Sequence, residues 1–237
     1  MRILLTGANG YIGMRLLPQL LELGHDVVCT VRNKSRFIST KDLSDQVEVV
    51  EIDFLNDTAA PESIYNIDIA YYLIHSMTGS AKNFDEKEAT AAENFNKMMA
   101  ETTVNQIIYL SGIINEEKLS KHLKSRKQVE EILYTGDFNL TVLRAAIIVG
   151  SGSSSFEIIR DLCEKLPLMI TPKWVKTKSQ PIAIRNIIQF LTGVIGKEAC
   201  FNESFDVGGP DVLTYEQMMR QYAQVRGLKI LIFGVPF

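Results

Sequence analysis

The 237-residue chain is predicted to be an α/β protein, built on a doubly wound parallel sheet with helices on both faces and a small carboxyl-terminal substrate lobe. Three observations predict this class. Short aliphatic runs alternate with segments of helical periodicity, a glycine-rich turn joins the first run to the first helix, and hydrophobic residues (46%) and charged residues (22%) are as frequent as in globular proteins. Such alternation is typical of βαβ units.

Six short runs of β-branched or aliphatic residues, each bounded by turn signals, are predicted to be buried parallel strands. They are Ile3–Leu5, Val27–Val31, Val47–Ile52, Ile69–Ile74, Ile107–Leu110 and Thr141–Val149. The segments between them carry apolar residues at spacings of three and four, which predicts amphipathic helices. These are Tyr11–Leu23, Asn83–Thr102 and Lys121–Tyr134.

The composition of the sequence changes after Gly150, where a Gly/Ser loop is followed by a basic stretch interrupted by prolines. We therefore divide the chain into a core at 1–150 and, in the same body, the remaining sheet strands and a small substrate lobe at 151–237. Helices are predicted near 156–165, 185–195 and 214–225, and a strand at 204–207. The apolar run Leu228–Phe237 is either a final strand or the point where the chain was cut before a further domain.

Charge and composition argue against several classes of protein. A net charge of −3 and a pI near 5.7 provide no electropositive field for a nucleic acid backbone. The first residues leave no room for the apolar region of a signal peptide, and no apolar run approaches the roughly 20 residues that span a bilayer, so a cytoplasmic protein is expected. Cys29, Cys163 and Cys200 are far apart, which argues against a disulfide framework and a zinc site. The sequence leaves open whether the protein forms a homodimer.

The turn after the first strand carries the sequence TGANGYIG at residues 6–13. In a strand–turn–helix context, Gly7 makes the sharp exit, Gly10 lets backbone amides approach a pyrophosphate, and Gly13 lets the helix pack close to the sheet. The helix N-terminus then stabilises the negative charge. This predicts a Rossmann dinucleotide site that includes Asn9, Tyr11 and Ile12, although glycine-rich turns also serve as plain connectors.

The end of the second strand distinguishes NAD from NADP, because a carboxylate there binds the ribose 2′-hydroxyl and repels a 2′-phosphate. The chain reads TVRNKSR at residues 30–36, without an acid. Arg32 is placed to pair with a phosphate, so NADP is preferred and NAD remains an alternative. The same basic residues are also compatible with a solvated loop.

The third strand is followed by Asp53 and Phe54. The Asp53 carboxylate is expected to accept a hydrogen bond from the adenine amino group, with Phe54 beside the ring. A loop-capping role for Asp53 is the alternative.

Four segments resemble those of atypical and extended short-chain dehydrogenases/reductases, including NmrA-like proteins: residues 6–13, YYLIHS at 71–76, IYLSG at 108–112 and LRAAIIVG at 143–150. Residues 151–156, 180–185 and 206–215 are similar to those of NAD-dependent epimerase/dehydratase-like members. The resemblance implies NAD(P) binding, with Ile74, His75 and Ser76 in the cofactor cleft. For His75 a purely structural role is the alternative. In such relatives a further domain often follows this fold.

The resemblance also implies where catalysis takes place. The family uses a Tyr-x-x-x-Lys pair on the helix after the fifth strand and a serine at that strand's end. Here Ser111 matches the serine, while His122 and Arg126 occupy the positions of the tyrosine and lysine. Imidazole can exchange a proton near neutral pH, and arginine can bind a ribose hydroxyl. Alternatively, His122 is a surface residue and the site is inactive.

Two further groups of residues are weaker candidates. Arg144 stands where relatives have Arg-Pro beside the nicotinamide, but the proline is missing here. Lys173, Lys176 and Lys178 around Trp174 could attract an anionic substrate or simply form a solvated basic hairpin. The sequence thus supports two hypotheses: an NADP-dependent oxidoreductase or epimerase-like enzyme acting on a small carbonyl or alcohol, and a non-catalytic nucleotide sensor or assembly factor of the NmrA-like type.

Overall fold

The computed structural model describes residues 1–37, 46–75, 84–114 and 121–234. The chain forms two compact units. The first comprises Met1–Arg144 and Ile188–Asp206, and the second comprises Ala145–Ile187 and Val207–Phe237. The chain therefore leaves the first unit after Arg144 and returns to it at Ile188.

The described elements alternate along the chain as the sequence pattern predicts. The strands are β1 (Arg2–Leu5), β2 (Asp26–Val31), β3 (Glu48–Glu51), β4 (Ile69–Tyr72), β5 (Gln106–Gly112), β6 (Asn139–Ala145), β7 (Ile148–Val149), β8 (Leu168–Thr171), β9 (Lys178–Ser179), β10 (Ile182–Ala183), β11 (Glu203–Val207), β12 (Leu213–Thr214) and β13 (Leu231–Gly234). The helices are α1 (Gly13–Glu22), α2 (Phe84–Met99), α3 (Lys121–Leu133), α4 (Ser154–Lys165), α5 (Ile184–Gly193) and α6 (Tyr215–Val225).

A seven-stranded sheet forms the centre of the first unit, in the order β11-β6-β5-β4-β1-β2-β3. The strands from β1 to β5 pair in parallel, with β1 between β2 and β4. All four residues of β4 are buried. This is expected of a parallel strand that is covered on both faces. The Rossmann-type doubly wound sheet is confirmed.

The main core lies between the sheet and helices α2 and α3. An aromatic cluster occupies its centre, where the Phe95 ring packs edge-on against Tyr72 at 4.8 Å and Tyr72 packs against Tyr109 at 5.7 Å. Helix α2 contributes Phe95, Met98 and Met99, which are all buried at helical spacing. This packing fixes α2 against the face of the sheet, and its first turns carry Phe84 and Glu88 to the site described below.

Two buried side chains bind residues 188–206, the segment that returns to the first unit, to the sheet. The Gln106 amide, fully buried on β5, donates to the Val194 carbonyl at 3.0 Å and accepts from the Gly196 N–H at 2.8 Å. The Tyr71 hydroxyl donates to the Leu191 carbonyl at 2.9 Å. Because buried polar groups need partners, these bonds hold residues 191–196 in the first unit.

The second unit is built around helices α4 and α6. Its core contains Ile159, Cys163, Met169, Val175, Met218 and Met219. Helix α6 begins with a capping box, in which the Thr214 hydroxyl accepts from the Gln217 N–H and the Gln217 side chain accepts from the Thr214 N–H. Strands β8 and β13 pair in parallel.

The predicted strands differ from those in the structure by a few residues at their ends, and two predicted runs differ more. The run Thr141–Val149 is divided between β6 and β7, at the point where the chain passes from the first unit to the second. The final run is a strand at Leu231–Gly234, paired with β8, so the strand interpretation is confirmed for those residues. Among the helices of the described residues, none combines the length and apolar character that crossing a membrane requires.

Candidate functional site

The site lies where the strand order reverses, between β1 and β4. At this switch point the loops that leave neighbouring strands diverge and open a crevice. Thr6, fully buried, joins the two strand ends: its hydroxyl donates to the Tyr71 carbonyl at 2.8 Å and accepts from the Leu73 N–H at 2.9 Å. The glycine loop therefore starts from a fixed point at the edge of the crevice.

The three glycines of the loop meet different constraints. Gly7 has φ +64°, and a Cβ there would lie 2.5 Å from the Leu73 carbonyl oxygen. A Cβ on Gly13 would lie 2.4 Å from the Gly7 carbonyl oxygen, so α1 depends on glycine for its close approach. At Gly10 a Cβ would meet only the Gly7 oxygen, at 3.0 Å. Gly7 and Gly13 thus serve the fold, whereas the Gly10 position borders space that a ligand can use.

Helix α1 starts directly from this loop. No side chain in the described part of the chain caps its N-terminus, where Ile12 is the capping residue. The Arg15 guanidinium lies 3.8 Å from the centre of the Tyr11 ring and donates to the Tyr11 carbonyl at 3.0 Å, which fixes the first turn. First-turn amides and the helix dipole form an anion site, so the loop geometry fits a pyrophosphate.

The loop after β2 presents Arg32 to solvent. Arg32 makes no ion pair within the described ranges. Asn33 caps the short 3₁₀ turn that follows by accepting from the Ser35 N–H at 2.9 Å. The Lys34 N–H donates to the Glu51 carboxylate at 2.9 Å. A carboxylate therefore does lie beside this loop. It comes from the end of β3, and a search of the β2 end alone misses it.

The predicted adenine contacts have other partners in the structure. Asp53 accepts from the Leu55 N–H at 3.2 Å and from the Asn56 side-chain amide at 2.7 Å, so its carboxylate caps the loop. Phe54 is 5% exposed and packs against the Phe95 ring at 5.6 Å within the core. The alternative of a loop cap thus describes Asp53 here, and Phe54 is a core residue. Adenine binding at this loop remains a prediction.

A cavity of about 210 Å³ opens beside the carboxyl end of β4. It is lined by His75, Phe84, Glu88, His122 and Arg126. The structure therefore brings together three residues that the sequence nominated, two from α3 and His75 from the segment after β4. Ile74 is partly buried against the main core, and Ser76 lies outside the described residues.

The cavity holds its titratable groups in distinct environments. Burial, and then the Arg126 charge, lower the pKa of His75 to about 3, so its imidazole is neutral at physiological pH. His75 Nδ1 lies 3.9 Å from Glu88 Oε1. The other carboxylate oxygen of Glu88 accepts from the Ser125 hydroxyl at 2.5 Å.

The catalytic candidates differ in their access to the cavity. His122 lies on an exposed part of α3, and its ring packs edge-on against Phe84 at 5.1 Å. The Arg126 guanidinium donates to the Leu110 carbonyl at 3.4 Å, and Arg126 lines the cavity. Ser111 is 2% exposed on β5 and is not a wall of the cavity. Ser111 is therefore an internal residue.

The weaker candidates have local roles. Arg144 forms a two-bond ion pair with Glu130 on α3, with Arg144 Nε 3.2 Å and Nη2 2.5 Å from the carboxylate oxygens. This pair raises the Arg144 pKa and uses the guanidinium within the fold.

The basic segment of the second unit surrounds an exposed tryptophan. Trp174 is 57% exposed, and its ring packs edge-on against Tyr215, next to the exposed Lys173 and Lys176.

Sequence reasoning missed Phe84 and Glu88. Both lie on α2, four residues apart and therefore on the same side of the helix. Glu88 stands among Asp85, Glu86 and Lys87, and this charge run looks like a solvated helix face. The signal that could have identified it is its place in the buried stripe, with Ala91, Ala92 and Phe95 three, four and seven residues further on.

Comparison with known proteins defines the class of the chain. Residues 7–166 match a family model described as NAD(P)H-binding. The chain belongs to this NAD(P)H-binding family. The match includes the three glycines of the loop and the five described residues that line the cavity.

Individual relatives are more distant. The chain is 20% identical over 226 residues to the divinyl chlorophyllide a 8-vinyl-reductase of Arabidopsis thaliana, covering 88% of the chain and 53% of that protein. The Cucumis sativus protein of the same name is 21% identical over 224 residues, covering 88% of the chain and 52% of that protein. The chain spans about half the length of these curated relatives.

Solved structures share the fold. A nucleoside-diphosphate-sugar epimerase from Staphylococcus aureus matches with a TM-score of 0.81 and 18% identity, over 99% of this chain and 80% of that one. The UDP-glucuronic acid 4-epimerase of Bacillus cereus, in complex with NAD, matches with a TM-score of 0.79 and 16% identity, over 99% and 86%. The UDP-glucose 4-epimerase of Thermotoga maritima matches with a TM-score of 0.77 and 14% identity, over 100% and 86%. The likeness extends over nearly the whole chain.

Proposed function

We propose that the chain is the NADP(H)-binding part of an oxidoreductase or epimerase-like enzyme that acts on a small carbonyl or alcohol. The observation that carries this proposal is the glycine loop at the β1/β4 switch point, where close packing at Gly7 and Gly13 aims the α1 N-terminus at a pyrophosphate. The cavity lies at the same edge of the sheet as the glycine loop. His75, in its wall, follows β4, and β4 pairs in parallel with β1, from which the glycine loop leaves. A bound nicotinamide supplies or accepts the hydride.

The chain's own residues then handle the proton. When a carbonyl is reduced, its carbon gains a hydride and its oxygen gains a proton, which His122 is placed to donate from the cavity wall. In the oxidation of an alcohol the same imidazole accepts the proton. Arg126 is proposed to orient a ribose hydroxyl, as the family's lysine does. Ser111, buried on β5, is proposed to support this arrangement from within the fold.

The preference between NADP and NAD depends on two side chains. Arg32 is exposed at the end of β2 and is placed to pair with a 2′-phosphate. Glu51 favours NAD, since a carboxylate beside the same loop repels that phosphate, but it already accepts from the Lys34 N–H. We propose NADP as the preferred cofactor because Arg32 makes no ion pair within the described ranges, whereas the Glu51 carboxylate already accepts the Lys34 N–H.

A non-catalytic nucleotide sensor or assembly factor is the second candidate. The observation that favours it is the replacement of the family's Tyr-x-x-x-Lys pair by His122 and Arg126. A protein that only binds the nucleotide needs the glycine loop and not the proton donor. The two candidates therefore differ in turnover and not in affinity for the cofactor.

The test is a turnover screen with NADPH and NADH. The panel contains simple aldehydes and ketones, together with UDP-glucose and UDP-glucuronic acid because structural neighbours bind those ligands. With the aldehydes and ketones the active candidate predicts oxidation of NADPH, and with the sugar nucleotides and NADP⁺ it predicts either reduction of the cofactor or an epimer detected by chromatography. Either activity should be lost in His122→Ala, with cofactor affinity retained. Lys124→Ala, at an exposed position on the same helix, is the matched control and should behave as wild type. Tight cofactor binding without turnover on any substrate would favour the sensor.

A further inference from the structure

The cavity contains a buried carboxylate to which the proposed chemistry gives no role. Glu88 is 6% exposed on α2, and its only described side-chain hydrogen bond comes from Ser125, which is 1% exposed on α3. Within the described ranges no lysine or arginine lies at ion-pair distance from it. Burying a carboxylate without a cation costs several kcal/mol. The Ser125 bond offsets part of that cost and fixes one oxygen, so the other oxygen is held in a defined place.

That second oxygen lies beside the His75 ring. His75 Nδ1 lies 3.9 Å from Glu88 Oε1, and no hydrogen bond to either ring nitrogen occurs in the described part of the chain. A neutral imidazole carries one N–H and one lone pair, and its surroundings decide which nitrogen has the proton. A negative charge beside Nδ1 favours the proton on Nδ1, as in carboxylate–histidine pairs.

We propose that Glu88 is a positioning residue that holds neutral His75 in the Nδ1–H tautomer, so that Nε2 accepts a hydrogen bond from a hydroxyl group bound in the cavity. The identity of the hydroxyl rests on the proposed function: it belongs either to a cofactor ribose or to an alcohol substrate. The tautomer does not rest on it, because it follows from the Glu88 charge alone. Glu88 touches His75 and Ser125, and it acts on the ligand through His75.

The surroundings of the ring are consistent with this assignment. From α2, Glu88 supplies the negative charge and Phe84 an apolar wall, while from α3 Arg126 supplies a positive charge that disfavours protonation of the ring. His122 completes the wall. Because His75 is neutral, its ring accepts a hydrogen bond from a hydroxyl and does not compete with His122 for the transferred proton.

The experiment is long-range ¹H–¹⁵N correlation NMR on protein labelled at its three histidines, His25, His75 and His122, at neutral pH. His75→Gln assigns the signals. In the wild type we expect a protonated Nδ1 and a bare Nε2 for His75. Glu88→Gln should convert this to a mixture of both tautomers, while Glu93→Gln, at an exposed position on the same helix, should leave it unchanged. A wild-type ring protonated on Nε2 or on both nitrogens overturns the proposal, even if Glu88→Gln does not fold.

Two additions then identify the hydroxyl. A change in the Nε2 shift with NADP⁺ alone assigns it to the cofactor, and a change only after isopropanol is added to the NADP⁺ complex assigns it to the substrate. An unchanged Nε2 shift under both conditions, with calorimetry showing NADP⁺ bound, refutes the acceptor role. The expected tautomer in a protein without turnover would leave this inference standing while the proposed activity failed.

Discussion

A substitution at Gly10 should weaken cofactor binding while leaving the free energy of unfolding nearly unchanged. A Cβ at this position meets a single atom within 4 Å, the Gly7 carbonyl oxygen at 3.0 Å, and the backbone is not left-handed. Relieving that contact needs a shift of a few tenths of an ångström. The reduced freedom of the unfolded chain offsets part of the strain. We therefore expect Gly10→Ala to change the free energy of unfolding by less than about 1 kcal/mol.

The same methyl group should weaken cofactor binding strongly. It would stand where backbone amides of the loop must approach the pyrophosphate. A hydrogen bond to a charged group contributes about 1.5–3 kcal/mol, so losing one of them raises Kd by roughly 10- to 150-fold. Gly10→Val should be at the upper end of this range, because its side chain is larger.

The assay is calorimetric titration with NADPH, together with urea unfolding of each variant. Gly193→Ala is the control, since a Cβ there meets nothing within 4 Å. Gly13→Ala should show the opposite pattern and destabilise the fold by about 1–3 kcal/mol, because its Cβ would lie 2.4 Å from a backbone oxygen. A folded Gly10→Ala protein with wild-type affinity would refute the assignment of the phosphate loop.

Three further predictions concern charge. Arg32→Asp should lower the ratio of NADPH to NADH affinity at least about tenfold, because it places a carboxylate against the 2′-phosphate, and an unchanged ratio in calorimetry would contradict the NADP preference. His75 has its pKa lowered to about 3, so between that value and its ordinary value of about 6.5 the unfolded chain binds a proton that the folded chain does not. Folding should therefore weaken as the pH falls through this window, by at most about 1.4 kcal/mol per pH unit from this group, and His75→Gln should remove that part of the slope in urea titrations at several pH values. Arg144→Met should lower the free energy of unfolding by about 2 kcal/mol, because it leaves the Glu130 carboxylate, which is 6% exposed, without its cation. Thermal unfolding measures this loss. Arg160→Met, which removes an arginine with a side chain 40% exposed, should show no loss.

Local sequence patterns predicted most of the first unit. A strand that is covered on both faces must be apolar throughout, and a helix that covers it must carry a stripe, so β4 and α2 were recognisable from their own residues. The glycine loop was recognisable because steric limits at Gly7 and Gly13 act over a few residues. Such features need no knowledge of the partners that the chain meets in three dimensions.

Features that depend on neighbouring elements were not predictable in the same way. Glu51 reaches the loop after β2 because β3 pairs beside β2, and the sequence separates them by a long segment. Glu88 faces a cavity only because α2 packs against α3 in one particular register. Likewise, Phe54 is drawn into the core by Phe95, which the sequence places far away.

The return of residues 188–206 to the first unit has a consequence for biosynthesis. Strand β11 lies beside β6, and the buried Gln106 amide finds its partners at Val194 and Gly196. A nascent chain that has emerged from the ribosome only as far as Arg144 therefore exposes β6 as an open edge, and the Gln106 amide lacks two of its partners and keeps only the Thr141 hydroxyl. Unpaired edges invite association with other chains. The sheet gains its last strand only after the chain has been synthesised through β11, so the nucleotide-binding unit is completed during synthesis only after the first segment of the second unit has been made.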